Sequence, residues 1–400
     1  MRATAMAFRV GMGLLKSRGP LHRSSSPSAS SLVSRILGLP TAVCVGFSLD
    51  KRAFAAKLPD HSGDDAENDE KKAKINAAWN NSAEAYVTNI LDGDGITKDS
   101  SDSSESGPAA VAPAMSVGHK AAARVAVDRA NEVQLKESGA PVVLDVASAG
   151  GEPAITIAKA VPGATIYATD FAPAMMDLIR RRAAEAGVSN VKEAVADGEA
   201  LTEFGDASVD AVTCTFGLFF MPNWQRAVQE FSRVLKTDGV VAMTIFEKHD
   251  DSTIRCFNRV LGTLIPGHVG VIDPEALGDD EASGLVEEMK GAGLCNVSVT
   301  KFSVPVFLSP EARPGDIWEY WVRASTLGQT MKSLEAQGRT NVRQEAKEIF
   351  EGQMEKDWAA GRTPLGLQKS VDGSMHSSSS AAPESPHAYG MKALLITGRK

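Results

Sequence analysis

Residues 141–170 read PVVLDVASAGGEPAITIAKAVPGATIYATD, and they constrain the fold more than any other segment of this chain. An apolar run, Val142 to Leu144, ends in an acid, Asp145. A turn of small residues follows, from Ala147 through Ser148, Ala149 and Gly150 to Gly151. A helical segment then leads to a second apolar run and a second acid, Asp170, which stands 19 residues past Gly151. The spacing predicts strand, tight turn, helix and strand, the unit that holds an adenosine-bearing cofactor in α/β proteins. The turn must be small so that backbone can approach a ligand, and the helix aims its free N–H groups at it. An acid ending the second strand can accept hydrogen bonds from both ribose hydroxyls. A βαβ unit packed without a ligand is the competing reading. The glycines are adjacent rather than spaced as GxGxxG, which disfavours a nicotinamide or flavin dinucleotide.

Charge divides the chain. The first 57 residues hold nine basic residues and one acid, Asp50, and are rich in Ser and Ala. Arg-rich, Ser-rich and acid-poor N-termini are the mark of organelle presequences. The segment Met6 to Arg18 can form a basic amphipathic helix. We therefore expect residues 1–57 to be a targeting presequence for the mitochondrial matrix, with the plastid stroma as the competing address and a disordered basic tail as the bland reading. The apolar run Ile36–Leu49 is only 14 residues long and contains Pro40, so no stable membrane span is expected. The whole chain carries −8, so the remaining 343 residues carry about −16. An acidic body without a basic stripe argues against nucleic-acid partners. Cys44, Cys214, Cys256 and Cys295 are scattered and make no CxxC or Cys/His ligand spacing, so neither a metal site nor a disulfide framework is expected.

Along the body, residues 58–74 read as a flexible charged linker and residues 75–400 as one domain. Helices are expected at about 75–91 and 117–136, separated by a Ser-rich, disordered insertion at 92–114. Strands at 141–146, 164–169, 191–196, 208–214 and 239–246 then alternate with helices at 152–160, 173–186 and 223–236. This alternation predicts a doubly wound, mostly parallel α/β sheet. The helix at 223–236 has the clearest period, with Trp224, Ala227, Val228, Phe231, Val234 and Leu235 on one stripe. Beyond it we expect a helix at 281–292, a strand at 294–307, a helical lid at 315–359, a second Ser-rich insertion at 369–387 and a last strand at Lys392–Thr397.

Five motifs in this order resemble the class I S-adenosylmethionine-dependent methyltransferases, in the small-molecule branch that includes the ubiquinone and menaquinone methyltransferases. They are VLDVASAGGEPA (from Val143), YATDFAPAMM (from Tyr167), VADGEAL (from Val195), VDAVTCTFGLFFMPN (from Val209) and EFSRVLKTDGVVAMTIF (from Glu230). The resemblance spans about 75–305 plus the last strand. It implies a seven-stranded Rossmann-like sheet with N-terminal helices and a helical lid before the last strand, and S-adenosylmethionine as cofactor.

It also implies site roles by position. The turn from Asp145 through Ala147 to Gly151 would meet the methionine end of the cofactor. Asp170 would bind the ribose hydroxyls, with Phe171 and Met175 flanking the adenine. Asp197 would receive the adenine amino group, and Gly198 would allow close approach. Thr215 and Phe216 follow the fourth strand, where the methyl group meets its acceptor, and Trp79 and Tyr86 would lie over the site. Phe171 and Met175 can equally be core, and Asp197 an N-cap for the turn after it. Ala147 and Ala149 stand where the family usually has glycine, and alanine is penalised at positive φ.

Methyl transfer from this cofactor needs alignment more than acid–base help. His249 and His268 are the weak candidates for a base, and a solvated loop histidine is the plainer reading of each. The expected acceptor is a small, hydrophobic or aromatic molecule held by the N-terminal helix, the 215–223 loop, the 247–280 segment and the lid. Two alternatives stay open: a protein methyltransferase or respiratory-chain assembly-factor enzyme on the same scaffold, and a non-catalytic assembly protein. The sequence is silent on oligomeric state.

Overall fold

The computed structural model describes residues 65–88, 111–113, 115–137, 139–247, 260, 262–264, 282–308, 314–324, 327–359, 367–369, 375–377 and 388–400. The expected presequence, His249 and His268 lie outside the described residues. All described residues fall within one unit, His61–Lys400.

Five parallel strands form the centre of the main sheet. They are β2 (Val142–Val146), β3 (Thr165–Asp170), β4 (Val191–Val195), β5 (Val209–Thr215) and β6 (Leu235–Phe246). Two long strands complete the seven that were expected: β7 (Cys295–Leu308), and the final strand Ala388–Arg399, which pairs antiparallel with both β6 and β7. An eighth, three-residue strand, β1 (Val111–Pro113), caps the edge beyond β7. A separate two-stranded sheet pairs β8 (Leu367–Lys369) with β9 (Met375–Ser377), which makes the final strand β10. The main order is β1-β7-β10-β6-β5-β2-β3-β4. The direction of winding reverses between β5 and β2, and in such sheets the crevice at the carboxyl ends of the strands there is where ligands bind.

The central strands are buried on both faces, so their residues are apolar without alternation. Every residue of β5 is buried. Helix α5 (Trp224–Val234) buries Trp224, Ala227, Val228, Phe231 and Val234 against one face, as its period predicts. Its first turn is capped by Asn223, whose Oδ1 accepts the Arg226 N–H at 3.1 Å. The opposite face is covered by α2 (Ser116–Glu137), α3 (Ala154–Ala160) and α4 (Ala174–Glu185), with Ala123, Ala126, Ala130, Ile157 and Ile179 in one cluster.

Several boundaries differ from the sequence expectation. Helix α1 runs Asp65–Tyr86, so residues 65–74 of the expected linker are helical. That segment shows no apolar stripe; it is held by polar contacts to distant loops, described below. Within the Ser-rich segments, residues 111–113 pair with β7 and residues 375–377 pair with 367–369, because backbone partners rather than side chains order them. The expected lid is three helices, α7 (Pro314–Ala324), α8 (Leu327–Ala336) and α9 (Val342–Ala359), following α6 (Ser283–Gly291) and β7. Ile317, Trp318, Met331, Phe350 and Met354 are buried together. Trp318 and Met331 are therefore lid core.

Candidate functional site

A cleft of about 750 Å³, including its open mouth, sits at the carboxyl ends of β2, β3, β4 and β5. Nine of the eleven sequence-predicted cofactor residues line it: Trp79, Tyr86, Ala147, Asp170, Phe171, Met175, Asp197, Gly198 and Thr215. Asp145 and Gly151 do not.

The Asp145 carboxylate turns inward. It is fully buried and accepts from Ser148 Oγ (2.5 Å), Thr213 Oγ1 (2.6 Å) and the Ala154 N–H (3.3 Å). Burial pushes it up to about 7, against the pull of those donors. Asp145 thus ties the turn to β5 and to the first residue of α3, and reaches a ligand only through them. Gly151 has φ 95°, and a Cβ there would stand 2.9 Å from Ile155 Cδ1 and 3.6 Å from Ile179 Cγ2. The glycine is demanded by backbone sign and by helix packing rather than by ligand approach.

Between them, Ala147 (φ 56°) and Ala149 (φ 48°) both occupy the left-handed region. The turn keeps the backbone that glycine would favour, at a cost of about 1–2 kcal/mol for each alanine. Part of the offset is local. The Ala149 N–H donates to Asp170 Oδ2 at 2.9 Å, and the Ser148 N–H donates to Thr169 O at 2.8 Å. Across the cleft wall, a Cβ on Gly217 would stand 2.5 Å from the Ala147 Cβ. The methyl of Ala147 fills the space in front of Gly217.

Asp170 ends β3 with 9% of its surface exposed. Its Oδ1 accepts the Ala172 N–H at 2.9 Å. Burial raises its carboxyl to about 6, while the backbone donors of Ala172 and Ala149 act in the opposite sense. Each oxygen spends one acceptor site on backbone and keeps capacity for a further donor. Met175 is 1% exposed and touches both core and cleft, so the two readings of this residue are compatible. Asp197 likewise has two duties. Its Oδ1 accepts the Glu199 N–H at 2.9 Å, the turn-capping role, and its Oδ2 lies 2.7 Å from Lys72 Nζ. Beside it, a Cβ on Gly198 would meet Met221 Cε at 2.6 Å and Val146 Cγ1 at 3.0 Å, so this wall has no room for a side chain unless Met221 moves.

The other end of the cleft is aromatic. Trp79 meets Tyr86 and Phe220 edge-on, each with ring centroids 5.1 Å apart. Phe216 (φ 52°) stacks on Phe246 at 4.8 Å, and Phe219 stacks on Phe246 at 5.7 Å. Tyr86 has its phenol pushed well above the ordinary range by burial, with the Asp170 charge adding to the effect. His119 lies behind Phe216, with ring centroids 6.3 Å apart, and does not line the cleft; burial pushes it down to about 4, so it is neutral. Among the described lining residues the ionisable side chains are Lys72, Tyr86, Asp170, Asp197 and Glu199. Among the described residues no His/Cys/Asp/Glu group of three or more has metal-ligand geometry, and no helix is long and apolar enough to cross a membrane.

Lys72, Ile75, Glu199, Phe220, Met221 and Pro222 line the cleft without having been singled out in the sequence. VADGEAL contains Glu199 beside Asp197, and FGLFFMPN contains Phe220 to Pro222. Lys72 and Ile75 fall in or next to the segment read as linker, and only their helical spacing to Trp79 and Tyr86 marks them.

The donor set suits an adenosine-bearing sulfonium. A small turn, a buried acid at the end of β3, a second acid at the far wall and an aromatic end follow one another along a single cleft.

Comparison with known proteins agrees. Residues 143–239 match the family model described as a methyltransferase domain. A demethylmenaquinone methyltransferase of Thermus thermophilus is 34% identical over 155 residues, covering 37% of this chain and 67% of that protein. Its counterpart in Deinococcus radiodurans is 31% identical over 163 residues, covering 38% of this chain and 66% of that protein. The chain thus spans about two thirds of the length of these curated relatives. Among solved structures, the YcgJ protein of Bacillus subtilis superposes with a TM-score of 0.42 at 18% identity, over 71% of this chain and 98% of that one. With the β3 acid, the turn after β2 and the reversed winding at β5 and β2 in place, the chain belongs to the class I S-adenosylmethionine-dependent methyltransferases.

Proposed function

We propose that this protein binds S-adenosylmethionine in the cleft and transfers its methyl group, by in-line displacement, to a small hydrophobic or aromatic acceptor. The observation that carries the reading is the convergence of Asp170, the Ala147–Ala149 turn, Asp197 and the aromatic end on one cleft at the switch point of the sheet. S-adenosylmethionine supplies the activated methyl group when bound. The chain's own residues bind and align. Asp170 accepts the ribose hydroxyls, Asp197 accepts the adenine amino group, and Phe171 and Met175 flank the ring. The small residues of the turn let backbone come close to the amino-acid end. Thr215 and Phe216 lie where the acceptor approaches, and the rings of Trp79, Tyr86, Phe216 and Phe220 exclude water there. A dry, aligned site contributes mainly proximity, which is the largest effect available when the leaving group is already activated.

The two relatives bear names of enzymes acting on demethylmenaquinone, a ring-bearing quinone. A flat aromatic acceptor matches the rings that line this end, Trp79, Tyr86, Phe216 and Phe220, and we assign that class to this chain. The reading uses no general base. Calorimetry of the full chain with S-adenosylmethionine tests the first step, with binding at micromolar to submillimolar ligand expected. Incubation of cell extract with radiolabelled methyl donor tests the second. Label in the organic-soluble fraction is expected, and label confined to protein would overturn the small-molecule reading. We also propose that residues 1–57 direct the chain to the mitochondrial matrix. A fluorescent protein fused behind these residues should enter mitochondria, and entry into plastids or retention in the cytosol would reject that address.

A further inference from the structure

Helix α1 is a roof over the cleft. Lys72, Ile75, Trp79 and Tyr86 all line it, and their spacings of three, four and seven place them on one stripe of the helix. Trp79 and Tyr86 pack the stripe against the core, and polar side chains fasten the roof as well. Asn76 Nδ2 donates to Phe171 O at 2.6 Å, in the loop after β3. Asn80 Oδ1 accepts the Ala174 N–H at 2.9 Å, at the first turn of α4. Arg181 pairs with Glu84 at 2.9 Å on the surface. At the other end, Lys72 Nζ lies 2.7 Å from Asp197 Oδ2 and 2.7 Å from Glu199 Oε2.

The Lys72 contact differs from the others because it engages the ligand-facing acid. Asp197 Oδ1 accepts the Glu199 N–H and Oδ2 accepts Lys72, so an incoming N–H donor at Oδ2 meets an oxygen that Lys72 already holds. Glu199 gives the ammonium a second home. It is 2% exposed, and its Oε1 is held by the Asn223 N–H at 2.9 Å, so the carboxylate is fixed before any ligand arrives. Burial pulls the Lys72 ammonium down, but its two carboxylate partners outweigh this and it remains firmly charged.

We propose that Lys72 is a latch that keeps the roof closed whether the cleft is empty or filled, and so sets the rate of ligand exchange. In the free protein it bridges Asp197 and Glu199 and holds α1 down. A purine amino group arriving at Asp197 displaces it from Oδ2, and Glu199 retains it, so the roof stays closed over bound cofactor with Lys72 paired once instead of twice. Lys72 is a positioning residue: it sets how quickly the cofactor enters and leaves, and only secondarily how tightly it is held. The proposal rests on the reading of this cleft as the cofactor site.

Stopped-flow tryptophan fluorescence on the full chain tests it, using S-adenosylhomocysteine as probe and Trp79 as an internal reporter. For Lys72→Met we expect association and dissociation rates both to rise about tenfold, with Kd moving less than about threefold, because the lost contact opposes opening in both states. Lys72→Arg should restore slow exchange. For Glu199→Gln, which keeps an oxygen for the Asn223 N–H, we expect Kd to weaken about tenfold, since displaced Lys72 has no carboxylate to receive it. Adding Lys72→Met to that variant should return Kd to within about threefold of wild type. An unchanged association rate in Lys72→Met, with Kd weakened, would overturn the latch and make Lys72 an ordinary contact. Failure of wild-type protein to bind the probe at all would overturn the cofactor reading together with the latch, and is distinguished from failure of the latch alone by that control.

Discussion

The two ends of the cleft are built by opposite means. The end around Asp170 is backbone and buried carboxylate, drawn from the turn after β2 and the ends of β3 and β4, which are neighbours in the sheet. The end around Phe216 is rings, drawn from segments that meet only in the fold: Trp79 and Tyr86 on α1, Phe216 to Phe220 after β5, and Phe246 at the end of β6. Charge-assisted hydrogen bonds fix a donor's position and direction, whereas stacked rings fix a plane and exclude water. The first kind of site suits a cofactor that never changes. The second suits an acceptor class that can vary.

The comparison can be broken or sharpened by five measurements. The largest effect is expected from Asp170→Ala, which should weaken binding of S-adenosylhomocysteine by about 100-fold or more, since two charge-assisted hydrogen bonds vanish and the Ala149 and Ala172 N–H groups lose their acceptor. Calorimetry that finds affinity within tenfold of wild type would remove Asp170 from the ribose role.

Next is pH. Burial raises Asp170 to about 6, and the group must be ionised to accept the ribose hydroxyls well. Affinity should therefore be level above pH 7 and fall by about tenfold per unit below pH 6. A profile that stays flat down to pH 5 would contradict the assignment. The same shift has a signature in the unliganded protein. Asp145 at about 7 and Asp170 at about 6 both stand above the ordinary carboxylate range, so between pH 4 and 7 the folded chain holds more protons at these two sites than the unfolded chain does. Their contribution to stability is largest at the acid end of that window and falls as pH rises through it. Melting temperatures of wild type and Asp145→Asn, compared from pH 4 to 8, should diverge with that sign.

At the aromatic end, Phe246→Leu should raise the KM of the methyl acceptor several-fold while leaving the Kd of the cofactor unchanged, because its ring lies outside the cleft and backs Phe216, which lines the aromatic end. A change in cofactor Kd equal to that in KM would erase the division between the two ends. The smallest effect is expected from Ala147→Gly. Relief of the positive φ and the added freedom of the unfolded chain act against each other, so stability should move by no more than about 1 kcal/mol, measured by denaturant unfolding.

The same division explains what could be read before the structure. The cofactor end follows from local order: an apolar run, an acid, a small-residue turn, a helix and a second acid leave little freedom in where Asp170 and Asp197 fall. Local spacing does not reveal which carboxylates face a ligand. Asp145 stands one residue before the end of β2, level with Ala168 rather than with Asp170, and it points under the turn, where Thr213 on the adjacent strand and Ser148 above it supply donors inside the fold. Nor does periodicity reveal α1 upstream of residue 75, since the partners of Lys72 there, Asp197 and Glu199, lie more than a hundred residues away. His119 was passed over for the opposite reason. It sits in an alanine-rich helix with no motif around it, and only the fold places it behind Phe216.

The missing glycines of the first turn have a consequence outside it. The gap between the Ala147 methyl and position 217 holds one methyl group and not two, since a Cβ on Gly217 would stand 2.5 Å from the Ala147 Cβ. The two positions therefore share one allowance of volume, although they lie on different loops. A relative that restores glycine at 147 removes the severe clash for alanine at 217 and leaves only Cys214 Sγ, 3.3 Å away, to give way, whereas one that keeps alanine at 147 does not. Substitution at either position is then a question about the pair, and the turn that seemed to have lost a glycine has in effect moved it across the cleft.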